Sequence, residues 1–146
     1  IRDRHYTMKD LGIPKTLALV EQLEAINPYL TYETYTERVV PSNVERLFSE
    51  CDVVVEAFDK PDQKAMLLEN LLTRLPEKPV VSGSGMAGYG SANLIKTEKR
   101  FGHVYLCGDG TSDVADGLGL MAPRVAVCSA HEGTMVLRLL IGETEP

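Results

Sequence analysis

Apolar residues recur at three- and four-residue steps in three places along the chain, and they alternate or run together in five others. Leu17, Val20 and Leu23, with Leu19 and Ile26 alongside, predict an amphipathic helix over Pro14 to Asn27 that Asn27-Pro28 ends. Thr31 to Val40, rich in Tyr, Thr and Val, predicts a strand. Ser42 or Asn43 can cap a short helix through Phe48. Cys51 to Phe58, CDVVVEAF, carries the run Val53-Val54-Val55 and predicts a strand buried on both faces, as parallel strands usually are.

A second helix is predicted from Pro61 to Leu75, with Pro61 in its first turn and Met66, Leu67, Leu71 and Leu75 facing inward. Pro79-Val80-Val81 is a further short strand. Leu94 to Thr97 and His103 to Leu106 flank a polar turn and predict a hairpin or an antiparallel edge. A polar, glycine-rich loop runs from Gly108 to Gly119. The stretch 121–142 then reads as one long helix, started near Pro123, stopped at Gly142, and apolar on most sides. Helices alternating with apolar strands imply an α/β fold: an incomplete Rossmann-like, mostly parallel sheet with flanking helices, a carboxyl-terminal antiparallel hairpin and a long terminal helix. The 146 residues suit a single domain, 1–146.

Composition narrows the partners. A formal net charge of -6 and a pI near 5.1 leave no basic footprint for nucleic acid or an anionic membrane surface, and no apolar run reaches the roughly 20 residues of a membrane span. Small molecules or proteins are the expected partners. The 3 cysteines, Cys51, Cys107 and Cys128, form no C-x-x-C pair, so neither zinc nor a redox site is expected, and reduced thiols in a cytoplasmic setting are. The chain opens Ile1-Arg2-Asp3-Arg4 without an initiator methionine, which suggests a piece of a longer protein.

The segment VSGSGMAGYG, Val81 to Gly90, spells G-x-G-x-x-G after an apolar run. A dinucleotide-binding turn needs a strand before it, a helix opening at its end, and an acid about 20 residues on. The strand is present and Asp109 stands at a tolerable distance, but Ser91 to Thr97 has strand character where the helix should open. Without that helix N-terminus an anion site loses its main physical basis. The alternative is that the glycines let backbone cross close to a neighbouring group at the carboxyl end of the sheet, where ligands bind in open α/β folds.

Asp59 follows the strand CDVVVEAF and precedes a helix, where a carboxylate can hold a divalent ion or cap that helix. Lys15 and Arg2 offer positive charge for phosphates, or are solvated surface charges. His131, with no visible Ser, Cys or acid partner, reads as a packed or interfacial residue. Cys107, beside the polar loop, is either a reactive thiol or a buried inert one.

Taken in order, RDRHYTMKDLGIPKTLAL, EAINP, CDVVVEAFDKPDQKAML, VVSGSGMAGYG and GLGLMAPRVAVCSAHEGTMVLRLLIG resemble the ThiF/MoeB/HesA family of ubiquitin-activating-enzyme-like adenylyltransferases, and most of all its short thiamine-biosynthesis members. The resemblance implies ATP- and Mg2+-dependent adenylation of the C-terminal glycine of a ubiquitin-fold sulfur-carrier protein, by a homodimer. It assigns Lys15 in G-x-P-K to ATP contact. Arg2, or Arg4 if the register slips by two, matches the arginine that reaches the ATP phosphates of the neighbouring subunit. Asp59 in F-D-K matches the catalytic, magnesium-binding aspartate, and Gly83, Gly85 and Gly88 are expected to line the carrier's glycine tail. It also implies that the glycine-rich nucleotide-binding unit lies before Ile1, that the fragment alone is inactive, and that neither Cys107 nor Cys128 matches the family's covalent cysteine. Two other readings stand beside it: a noncatalytic scaffold binding a ubiquitin-like partner, and an NAD-binding oxidoreductase.

Overall fold

The computed structural model describes residues 6–146. The chain divides into two compact units, residues 1–38 and 39–146. Helix α1, Lys15–Ile26, forms the centre of the first unit and stops where Asn27 donates its backbone N–H to the Leu23 carbonyl, one residue before Pro28 forbids continuation. The following segment is not a strand. Tyr and Thr favour extended backbone, yet a strand also needs a ladder partner, and none pairs with 31–40 among the described residues. Tyr32 instead turns its hydroxyl back to the Leu23 and Asn27 carbonyls.

The second unit is a sheet covered on both faces. Strands β1 (Val54–Glu56), β2 (Val80–Gly83), β3 (Lys96–Lys99) and β4 (Val104–Gly108) lie in the order β1-β2-β4-β3. The first three in that order are parallel, and β3 closes the edge antiparallel to β4 through the hairpin that the sequence predicts. Helices α2 (Val44–Phe48) and α3 (Pro61–Arg74) cover one face; α4 (Ala122–Leu140) covers the other.

Because side chains alternate along a strand, consecutive residues feed opposite cores. Val54, Val80 and Val104 pack with Val44, Leu67 and Leu71 under α2 and α3. Val81, Tyr105 and Cys107 pack with Ile95, Cys128 and Met135 under α4. Two expectations change here. Strand β1 is not buried on both faces: it is the sheet's edge among the described residues, and Val55 is 46% exposed. Helix α4 is amphipathic rather than apolar on most sides; Val125, Cys128 and Met135 face the sheet while Leu137 and Leu140 face outward. Among the described residues no helix is long and apolar enough to cross a membrane.

Candidate active site

Parallel strands deliver their following loops to one rim, the carboxyl edge of the sheet, and three loops meet there. Strand β1 leads into Ala57 to Lys60, β2 into the glycine-rich segment, and β4 into the loop from Asp109 to Met121. Asp59 stands exposed in the first of these. It does not cap α3, whose N-cap is Lys60 and has no side-chain cap bond, so the capping alternative gives way to a free carboxylate at the rim.

Behind β2 no α-helix opens. A three-residue 3-10 turn, Ala92–Leu94, is followed directly by β3, so the geometry of a dinucleotide turn is not built. The glycine segment is instead laid against the loop after β4. Ala87 bridges to Leu120, the Gly88 N–H donates to the Gly119 carbonyl at 2.8 Å, and the Asp109 N–H donates to the Gly85 carbonyl at 3.1 Å. The close approach that glycine permits is to the chain's own groups. A methyl group on Gly83 would collide with the Glu132 carboxylate, one on Gly85 with Asp109 and the Gly110 backbone, and one on Gly88 would press on Leu118 at 3.1 Å. Gly85 also holds φ at +71°, a conformation that L side chains rarely adopt.

Arg124, one turn into α4, locks these loops together. Its guanidinium donates to the Ala87 carbonyl at 3.0 Å and to the Asp109 carboxylate at 2.6 Å. Asp109 accepts further bonds from the Thr111 and Ser112 amides and the Ser112 hydroxyl. Burial alone would raise its pKa; the Ser112 and Thr111 amides, the Ser112 hydroxyl and Arg124 outweigh it and hold the carboxyl well below the usual carboxylate range. From the sequence, Asp109 stands only as the acid that a dinucleotide turn needs, and Arg124 lies within the long last helix. The signal that could have marked Arg124 is a charge at an inward-facing position of that helix, as Glu132 also is.

Between the rim and α4 lies a second set of polar groups. Glu132 is partly buried over Gly83, and burial raises its pKa, assisted by Glu56 and opposed by the Cys128 thiol and Lys64. The Cys128 thiol is pushed up to about 12, by burial first and then by Glu132. Cys107 is likewise raised by burial, so both thiols are inert buried groups rather than ready nucleophiles. His131 is packed as its surroundings predicted, with Nδ1 3.0 Å from the Thr97 hydroxyl.

The remaining predicted residues fall elsewhere. Lys15 belongs to the first unit, exposed at the start of α1 with its ammonium 5.8 Å from the Tyr6 ring centre. Arg2 and Arg4 lie outside the described residues. Among the described residues no three or more His, Cys, Asp or Glu side chains converge on a metal position.

The protein is of the α/β class, a mostly parallel sheet with helices on both faces and an exposed aspartate at its carboxyl-edge rim. The ThiF family model matches residues 2–146, and the chain belongs to the ThiF family. The adenylyltransferase and sulfurtransferase UBA4 of Eremothecium gossypii is 27% identical over 144 residues, which cover 94% of this chain and 32% of that protein. The sulfur carrier protein adenylyltransferase of Thermus thermophilus is 33% identical over 79 residues, 54% of this chain and 28% of that protein. The chain thus spans about a third of the length of the curated relatives it matches. Among solved structures, the tRNA N6-threonylcarbamoyladenosine dehydratase TcdA of E. coli, in complex with AMP, superposes with a TM-score of 0.77 at 18% identity over 96% of this chain and 70% of that one. That likeness is one of fold.

Proposed function

We propose that this chain is the aspartate-bearing portion of an adenylyltransferase that activates the C-terminal glycine of a ubiquitin-fold sulfur-carrier protein, in thiamine (thiazole) biosynthesis. The observation that carries the reading is the exposed Asp59 at the carboxyl end of β1 in a ThiF-family fold. In the reaction the carrier's terminal carboxylate oxygen attacks the α-phosphorus of ATP, the bond to the β-phosphate bridging oxygen breaks, and pyrophosphate leaves with the electron pair. No protein nucleophile and no proton transfer are required. The protein's task is to align the two anions and offset their charge.

The residue types suit that task. A single carboxylate fits Mg2+, which is commonly held by one or two carboxylates together with substrate phosphates, and so needs no cluster of three protein ligands. Asp59 would hold the ion, and the ion when bound offsets phosphate charge. Lys15 supplies a point charge for ATP, and Arg2 or Arg4 reaches the phosphates of the neighbouring subunit in a homodimer. The nucleotide-binding unit lies upstream of this chain in this reading. Gly83, Gly85 and Gly88 let their segment pack against Glu132, Asp109 and Leu118, and in this reading the carrier's tail approaches along the rim that this packing shapes.

Carrier-dependent ATP–pyrophosphate exchange by the whole protein should fall by about 10²- to 10³-fold on Asp59→Ala. Unchanged exchange sinks the assignment. The TcdA likeness suggests a second reading, tRNA modification. The net charge of -6, without a basic stripe, favours a protein carboxylate over a tRNA-borne one, and stimulation of exchange by carrier but not by tRNA separates the two.

A further inference from the structure

The alternation that places Val54 under α3 places Glu56 there as well, and its side chain is 0% exposed. Its register partner across the ladder is Ser82, on the same covered face. A carboxylate in such a place must be fully partnered, and this one is. The Ser82 hydroxyl donates to it at 2.5 Å, the Lys64 ammonium at 2.7 Å and the Phe58 amide at 2.6 Å. Lys64 donates a second bond to the Gly83 carbonyl at 3.0 Å.

These four bonds join three parts of the rim. Phe58 is the residue before Asp59, Lys64 lies in the first turns of α3, and Ser82 and Gly83 end β2. Well-packed apolar side chains in place of both Glu56 and Lys64 would often serve stability as well as the ion pair does. What the carboxylate adds is direction: it orients one backbone amide in the turn that carries Asp59, whose own side chain makes no cap bond to hold it.

We propose that Glu56 is a positioning residue, held by Lys64 and Ser82, that sets the Asp59 carboxylate at the rim through the Phe58 amide. The inference rests on the reading of Asp59 as the catalytic aspartate. Reactive groups tolerate displacements of only about 0.5 Å, and a misplacement of about 1 Å can cost on the order of 100-fold in rate.

The test uses the whole protein in carrier-dependent exchange. Glu56→Gln leaves one acceptor oxygen where Glu56 has two, so it cannot hold both the Phe58 amide and the Lys64 and Ser82 donors, and Lys64→Met removes the ammonium; either should lower kcat about 10- to 100-fold with little change in the KM for ATP. In the Asp59→Ala background Glu56→Gln should cost nothing further. Hydrogen exchange at the Phe58 amide should quicken in both variants. Leu71→Ala, a core truncation in the same layer, should lower the melting temperature while leaving kcat per folded molecule unchanged, which separates positioning from general destabilisation. A folded Glu56→Gln protein with parental kcat, or losses that simply add to those of Asp59→Ala, overturns the inference while the catalytic assignment stands. Parental exchange in Asp59→Ala overturns both.

Discussion

The guanidinium of Arg124 lies 2.6 Å from the carboxylate of Asp109, with 7% and 5% of the two side chains exposed. This pair joins the start of α4 to the loop after β4, and through the Ala87 carbonyl to the glycine segment. Removing one member of a buried pair strands the other charge, at about 3–5 kcal/mol. Arg124→Met should therefore lower the urea-unfolding free energy by that amount. Adding Asp109→Asn to it should cost clearly less than the sum of the single changes. Simple additivity would show that the two groups do not act together.

The same pair sets an acid limit. Because the folded pKa of Asp109 is depressed, its contribution is present above the ordinary carboxylate value of about 3.9 and is lost as pH falls toward the folded value. Unfolding free energy should drop below about pH 4, and Asp109→Asn should flatten that part of the profile.

Glu132 has the opposite sign. Its folded pKa is raised, so the folded state binds more protons than the unfolded one, and stability falls as pH rises from about 4.3 through the folded value. Glu132→Gln should be more stable than the parent at about pH 8, with the difference shrinking toward about pH 4. Parallel stability profiles for the two proteins would contradict this.

Two glycines should respond in opposite directions. Gly85→Ala forces a methyl group into Asp109 and the Gly110 backbone at φ +71°, so its cost should exceed the about 1–2 kcal/mol of the left-handed conformation alone. Gly133 sits within α4 with open space around its Cα, and Gly133→Ala should stabilise by about 0.5–1 kcal/mol. Denaturant midpoints of the two variants, moving down and up respectively, are the measurement.

The cysteines offer a chemical check on the burial. Cys107 and Cys128 are fully buried with raised pKa values, whereas Cys51 is partly exposed. Since the thiolate is the reacting species, iodoacetamide under native conditions should modify Cys51 first, with mass spectrometry locating the adduct. Rapid native labelling at Cys107 or Cys128 would mean that the α4 face opens readily.

Elements whose pattern is local can be read from neighbouring residues alone. Helix α3 is predicted over Pro61 to Leu75 and observed at Pro61–Arg74, and the hairpin, the parallel strands and the long last helix follow from spacing because periodicity is a property of neighbouring residues. The position of Asp59 at a strand's carboxyl end was legible for the same reason. What required the tertiary structure was every feature defined by a partner distant in sequence. Thr31 to Val40 has strand composition but no ladder partner, and Val55 has a buried strand's residue type on an edge face. Glu56 looks like an interruption of an apolar run until Lys64 and Ser82 are brought to it, and Arg124 looks like a surface charge until Asp109 and Ala87 are folded against it. Burying a charge costs too much without its partner, and chain spacing cannot say which partner the fold will deliver.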